Sequence, residues 1–146
     1  MAKIKVIFVC PHNSARSQMA EAFLSHYAAN QFEVYSGGYK PLPIHPLAVK
    51  VMQEIGYDLS NQQSKDMWAL IKGQHFGVAV SVCRKTEPNC PVVFGASTRI
   101  NWDIEDPTVF AGSDQEKLDK FRTIRDQIHQ HVLKFLEERS MVVPSF

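Results

Sequence analysis

Ile4-Lys5-Val6-Ile7-Phe8-Val9, running into Cys10-Pro11-His12-Asn13-Ser14-Ala15-Arg16-Ser17, decides how this chain folds. The first six residues alternate little and are rich in Val, Ile and Phe, the pattern of a strand buried on both faces. A helix-patterned stretch opens directly behind them. A strand that turns straight into a helix leaves the first helical N–H groups without partners, all pointing at one spot. The helix dipole makes that spot positive, which suits a tetrahedral oxyanion. Arg16 adds a planar fork of donors matched to phosphate-like oxygens. The same field favours the thiolate of Cys10 over its thiol. The stretch therefore supplies an anion cradle and a nucleophile together. The alternative is an inert core cysteine at a strand end. The arginine six positions on and the polar Asn13, Ser14 and Ser17 argue against it.

Working outward, residues 15–29 place Met19, Phe23, Leu24 and Tyr27 at helical spacing, with Asn30 as a stop. Residues 32–36 read as a short strand ended by Gly37-Gly38. Pro41 and Pro43 mark a loop, and Pro46 suits a helix start whose face is Ala48, Val49, Met52 and Ile55, with Gly56 after it. Ser64 is expected to cap a short helix over 66–72, closed by Gly73. Phe76 to Val82 reads as a second buried strand, Cys83 to Ser97 as a loop, and 98–102 as a last strand. Ser113 is a good N-cap for a long helix to about Arg139, with Leu118, Phe121, Ile124, Ile128, Val132 and Phe135 on one face. Strands alternating with helices predict an α/β fold, a parallel sheet covered on both sides. Sites in such sheets lie beyond the carboxyl ends of the strands. That rule brings Cys10, Cys83 and Asp106 to one edge.

The bulk properties exclude several classes. The 146 residues suit one domain, 1–146, and 45% hydrophobic content is globular. Sixteen basic and fifteen acidic residues leave a net charge of +1, with no footprint for nucleic acid or an anionic membrane. No apolar run is long enough to span a bilayer, and the N-terminus has no signal-peptide pattern. A cytoplasmic protein is expected. The three cysteines, Cys10, Cys83 and Cys90, show no zinc spacing, so no metal site is expected.

Two further segments bear on the chemistry. Asp106 precedes Pro107, which holds it extended and fixes its reach. It is either part of a solvated acidic loop with Asp103 and Glu105, or a general acid or base beside the anion. Cys83-Arg84-Lys85-Thr86-Glu87-Pro88-Asn89-Cys90 puts two cysteines on a charged loop, an unusual place for them. They close a disulfide only if the loop folds back. Arg84 and Lys85 would help hold thiolates there. Thiol–disulfide exchange from Cys10 to Cys83 to Cys90 is chemically reasonable. A thiol phosphatase needs one nucleophile and a water, whereas a thiol reductase needs further thiols.

These residues give the chain a resemblance to arsenate reductases of the thioredoxin-coupled type, built on the low-molecular-weight tyrosine phosphatase fold. It rests on Phe8-Val9-Cys10 with Asn13-Ser14, on Arg16 through Ala22, on Tyr35-Ser36-Gly37-Gly38, on Asp58-Leu59-Ser60, on Cys83 and Cys90, and on Asp106-Pro107, and covers essentially the whole length. The resemblance implies a three-layer sandwich around a four-stranded parallel sheet. It also implies that arsenate sits on the amides of residues 12–16 (His12, Asn13, Ser14, Ala15, Arg16) and on the Arg16 side chain. Ser17 would hydrogen-bond to the Cys10 sulfur, and Asp106 would assist proton transfer. Cys83 and then Cys90 would carry a disulfide outward to thioredoxin, with glutaredoxin as the other possible donor. No bound cofactor is implied, and a monomer is expected.

The chain departs from that family pattern in four places. Ala15 stands where a further cysteine is often found, and His12 replaces a small residue. Thr108-Val109 follows Asp-Pro where tyrosine phosphatases of this fold carry tyrosines. Some members bind potassium through residues matching Asn13, Glu21, Ser36 and an Asp; here that Asp matches Lys65. Its ammonium is expected to replace the cation and order the loop, the alternative being an ordinary exposed lysine. Two other functions fit parts of the pattern: a phosphatase using the same Cys10 loop, and a thiol-based sensor binding a soft ion.

Overall fold

The computed structural model describes residues 3–139. The apolar tail Met141-Val142-Val143 lies outside them. The elements are β1 (Ile4–Cys10), α1 (Arg16–Ala28), β2 (Phe32–Gly38), α2 (Pro46–Gln53), α3 (Met67–Ile71), β3 (Val78–Val82), β4 (Thr98–Trp102) and α4 (Asp114–Glu138), with a 3-10 turn at Pro107–Val109. The sheet order is β2-β1-β3-β4. Every pair is parallel, with Cys10 opposite Gly38, Val9 opposite Ser81 and Val82 opposite Trp102. The expected three-layer α/β sandwich with four parallel strands is present.

Side chains alternate across the central strand and feed both layers. Val6 and Phe8 enter the larger core with Met19, Phe23 and Leu24 of α1, Val51 and Met52 of α2, and Phe121, Ile124 and Ile128 of α4. Ile7 and Val9 face the other way, against Met67 of α3, Phe76, Ala79 and Val93. Burial on both faces explains why β1 reads as a continuous apolar run. The start of α4 is closed by a capping box, in which Ser113 Oγ accepts from the Glu116 N–H and the Glu116 carboxylate accepts from the Ser113 N–H.

Two boundaries differ from the sequence expectation. The strand β2 runs through Gly37 and Gly38 instead of ending before them. These glycines mark close approach, not a turn. A Cβ at Gly37 would lie 2.8 Å from Met67 Cα, and one at Gly38 would lie 2.8 Å from Asn13 N. Ser64 is not the cap of α3. The Asp66 carboxylate takes that role, accepting from the Trp68 N–H at 2.9 Å, while Ser64 Oγ donates to His12 O at 3.1 Å. Proximity to the 10–17 loop redirects the serine. Among the described residues no helix is long and apolar enough to cross a membrane.

Candidate active site

Cys10 ends β1 and Arg16 begins α1, so the loop between them sits at the carboxyl edge of the sheet. Asn13 gives the loop its tight curl. Its φ of 49° lies in the left-handed region, which asparagine tolerates better than most residues. The N-cap position of α1 is Ala15, whose side chain offers no acceptor to the first turn. By contrast, His45, Asp66, Asp106 and Ser113 each cap the helix or turn that follows them. The start of α1 therefore keeps its amides for something other than its own chain.

The polar side chains of the loop brace it instead. Asn13 Oδ1 accepts from the Lys65 backbone N–H at 2.9 Å and from Gln18 Nε2 at 2.8 Å. A backbone N–H only donates, so this contact fixes the amide orientation and turns Nδ2 toward Ser17. Asn13 Nδ2 donates to Ser17 Oγ at 2.7 Å. The Ser17 hydroxyl, already accepting there, has its own proton to give to Cys10 Sγ, 2.9 Å away. That directed donor suits a sulfur bearing negative charge. Cys10 is free and buried. Gln18 reaches on to Gln63 O, and Gln62 Nε2 donates to Gln18 Oε1 at 2.6 Å, which ties the loop to residues 62–65.

Lys65 bridges two predicted residues in different ways. Its backbone holds Asn13, while its ammonium lies 3.6 Å from Glu21 Oε1, itself hydrogen-bonded by Ser36 Oγ, and donates to Gln63 O at 2.7 Å. His12 faces Lys40: the carbonyl accepts, so ring Nδ1 carries the proton at 3.0 Å. Ser14 O accepts from the His45 N–H at 2.8 Å, linking the loop to α2. Burial holds His45 below its ordinary pKa against the pull of Asp106, and its Nδ1 accepts from the Leu47 N–H, so that nitrogen carries no proton.

Arg16 is almost fully buried. Burial disfavours its charge, but the hydrogen bond it donates to Glu87 and the negative charges around it outweigh that, and the guanidinium is held above its ordinary pKa. Nη1 donates to Glu87 Oε1 at 2.6 Å and to Ile104 O at 2.8 Å, and Nη2 donates to Glu87 Oε2 at 2.9 Å. Asp106 Oδ2 stands 3.8 Å from Nη2. The other Asp106 oxygen is held by the Thr108 N–H and hydroxyl. The crowded acids thus divide: Asp103 faces solvent beside Arg84, Glu105 pairs with Lys120, and Asp106 turns toward Arg16. Arg84, expected to hold thiolates, instead extends toward Asp103 and Glu105.

Cys83 and Cys90 form a disulfide. The loop folds back through a turn in which the Glu87 N–H donates to Arg84 O, and through Asn89 at a φ of 63°. Cys83 is buried and its carbonyl accepts from Asn101 of β4, whereas Cys90 is partly exposed. A recess of about 520 Å³, lined by His12, Arg84, Glu87, Asn89 and Asp106 among others, opens beside the loop.

Comparison with known proteins agrees with this geometry. The family described as low molecular weight phosphotyrosine protein phosphatase matches residues 5–141. The chain belongs to that family. Among its relatives is an arsenate reductase of Halalkalibacterium halodurans, 37% identical over 139 residues, covering 94% of this chain and 98% of the relative. A solved arsenate reductase in a phosphate-binding state superposes with a TM-score of 0.78 at 33% identity, covering 94% of this chain and 99% of that one. A thioredoxin-dependent arsenate reductase of Corynebacterium glutamicum, a longer chain, matches with a TM-score of 0.57 at 25% identity, covering 91% of this chain and 63% of its own. Family membership alone leaves hydrolysis and reduction both open, since the loop with its cysteine and arginine suits either.

Gln18, Gln62 and Glu87 are site residues that sequence reasoning missed. Gln18 adjoins the motif, and its position directly after Ser17 was the available signal. Glu87 was visible only as an acid between two cysteines.

Proposed function

We propose that this chain reduces arsenate to arsenite through three thiols, without a prosthetic group. The observation that carries the reading is the pairing of a free Cys10 in the anion loop with a Cys83–Cys90 disulfide at the same sheet edge. That is the state the reaction leaves behind. Arsenate binds on the amides of residues 12–16 and on Arg16. The Cys10 thiolate attacks arsenic, an As–O bond breaks, and the oxygen leaves as water after protonation, with Asp106 placed to assist. The Cys83 thiolate then attacks the Cys10 sulfur. The S–As bond breaks with its electron pair on arsenic, which becomes arsenite, and a Cys10–Cys83 disulfide forms. The Cys90 thiolate attacks Cys83, freeing Cys10 and producing the disulfide now seen. Two thiols have lost two electrons, which arsenic has gained.

An external dithiol restores Cys83 and Cys90, attacking from the side of the more exposed Cys90. Thioredoxin is the proposed donor, as in the Corynebacterium relative, with glutaredoxin the alternative. Lys65 replaces a bound cation by reaching Glu21 with its ammonium and Asn13 with its backbone. All these groups belong to one chain, so a monomer of one domain, 1–146, working in the reducing cytoplasm, suffices.

The test is arsenate-dependent NADPH oxidation with thioredoxin and its reductase. Wild type is expected to turn over. Cys83→Ser is expected to give no arsenite, and Cys90→Ser no more than one equivalent. Absence of turnover in wild type, with phosphatase activity retained in all three proteins, would overturn the reading in favour of a phosphatase.

A further inference from the structure

The fork of Arg16 is occupied by a carboxylate of its own chain. Both oxygens of Glu87 lie on the two terminal nitrogens of Arg16, at 2.6 and 2.9 Å. These two nitrogens carry the terminal pair of donors that Arg16 would add to the loop amides. A tetrahedral anion and the Glu87 carboxylate share one charge and one binding geometry, so they exclude each other there. Neutralising the buried Arg16 does not by itself call for this contact, because Asp106 already stands 3.8 Å from the same side chain.

The position of Glu87 in the chain gives the contact its meaning. It lies inside the ring of residues 83–90 that the disulfide closes. Two contacts within the turn aim it. The Glu87 N–H donates to Arg84 O, and the Arg84 N–H donates to Glu87 Oε1 at 3.0 Å. The far end of this turn is tethered through Cys90. Reduction by a dithiol delivers two electrons and two protons, breaks the S–S bond, and leaves two thiols. The Cys90 end of the turn is then untied, and the segment carrying Glu87 gains the freedom of an open polar loop.

We infer that Glu87 is a redox-dependent latch, closing the oxyanion site on Arg16 while Cys83 and Cys90 are oxidised and leaving it when they are reduced. The inference rests on the reading of residues 10–17 as an oxyanion site. It deepens that reading by giving the site a regulator within the chain. A molecule with Cys83 and Cys90 joined keeps the Cys10 thiol but has no resolving thiol to complete a reduction. The latch keeps oxyanions off it until the thiols are restored.

The experiment is titration calorimetry of inorganic phosphate into two preparations of the full-length wild type. One is oxidised, with the Cys83–Cys90 disulfide and the free Cys10 thiol verified by alkylation and mass mapping; the other is fully reduced. The oxidised form is expected to bind phosphate about tenfold more weakly or worse, the scale of losing hydrogen bonds to one charged group. In Glu87→Gln the oxidised form gains affinity and the gap falls to about threefold or less, because the amide keeps the size and loses the charge. Equal affinities in the two wild-type forms would overturn the latch, as would a gap that persists in Glu87→Gln. The wild-type comparison stands without the variant should the variant fold poorly. Phosphate binding to neither form would overturn the oxyanion site itself, and the latch with it. None of these readouts requires arsenate turnover.

Discussion

The starts of α1 and α4 solve the same problem in opposite ways. Both helices begin with amides that have no intrahelical partner. At α4 the chain satisfies them with its own side chains, Ser113 and Glu116. At α1 the N-cap position is an alanine, and the polar residues nearby point elsewhere. Asn13, Ser17 and Gln18 are spent on one another, on Cys10, and on residues 62–65. One helix end is finished as structure. The other is left open and rigidly framed, which is what a ligand site on a helix terminus requires.

Three substitutions would break or sharpen this contrast. The largest effect is expected from Arg16→Lys, which keeps the charge but loses the fork. It should lower kcat/KM for arsenate by about 100-fold or more, the scale of removing a key oxyanion donor. Steady-state kinetics would detect it, and a change under threefold would remove Arg16 from the site. Next, Ser113→Ala should cost about 1 kcal/mol of stability in a denaturant titration and leave kcat/KM unchanged. A loss of activity there would mean that the two helix starts are not functionally separate. The smallest effect belongs to Lys65→Met. The partly exposed pair with Glu21 contributes up to about 1 kcal/mol. Wild-type melting temperature and kcat/KM should be the same in potassium as in sodium; strong stimulation by potassium would refute the replacement of a cation by the Lys65 ammonium.

Local chemistry was the legible part of this chain. Ser113 with Glu116 three residues on, Pro46 at a helix start, and the unbroken apolar β1 all carry their meaning within a few residues. So does the loop from Cys10 to Ser17, because a strand-to-helix turn dictates where amides point. What the sequence concealed depends on distant partners. Ser64 is a good cap by type, but the nearby His12 carbonyl takes its hydroxyl and Asp66 caps instead. Gly37-Gly38 resembled a strand end, yet the pair continues β2 because α3 and the Asn13 loop press against it. The pairing of Glu87 with Arg16 spans 71 positions, and no periodicity or spacing rule connects them.

An uncapped helix start also has a thermodynamic consequence. On the proposed reading, an oxyanion filling it would be, in effect, the missing cap of α1, supplied from solution. Any such anion would bind the folded, reduced chain and not the unfolded one, so its concentration would enter the folding equilibrium. On the proposed reading, phosphate would then play two opposed parts at residues 10–17. It would lend the fold stability, and it would stand in the way of arsenate.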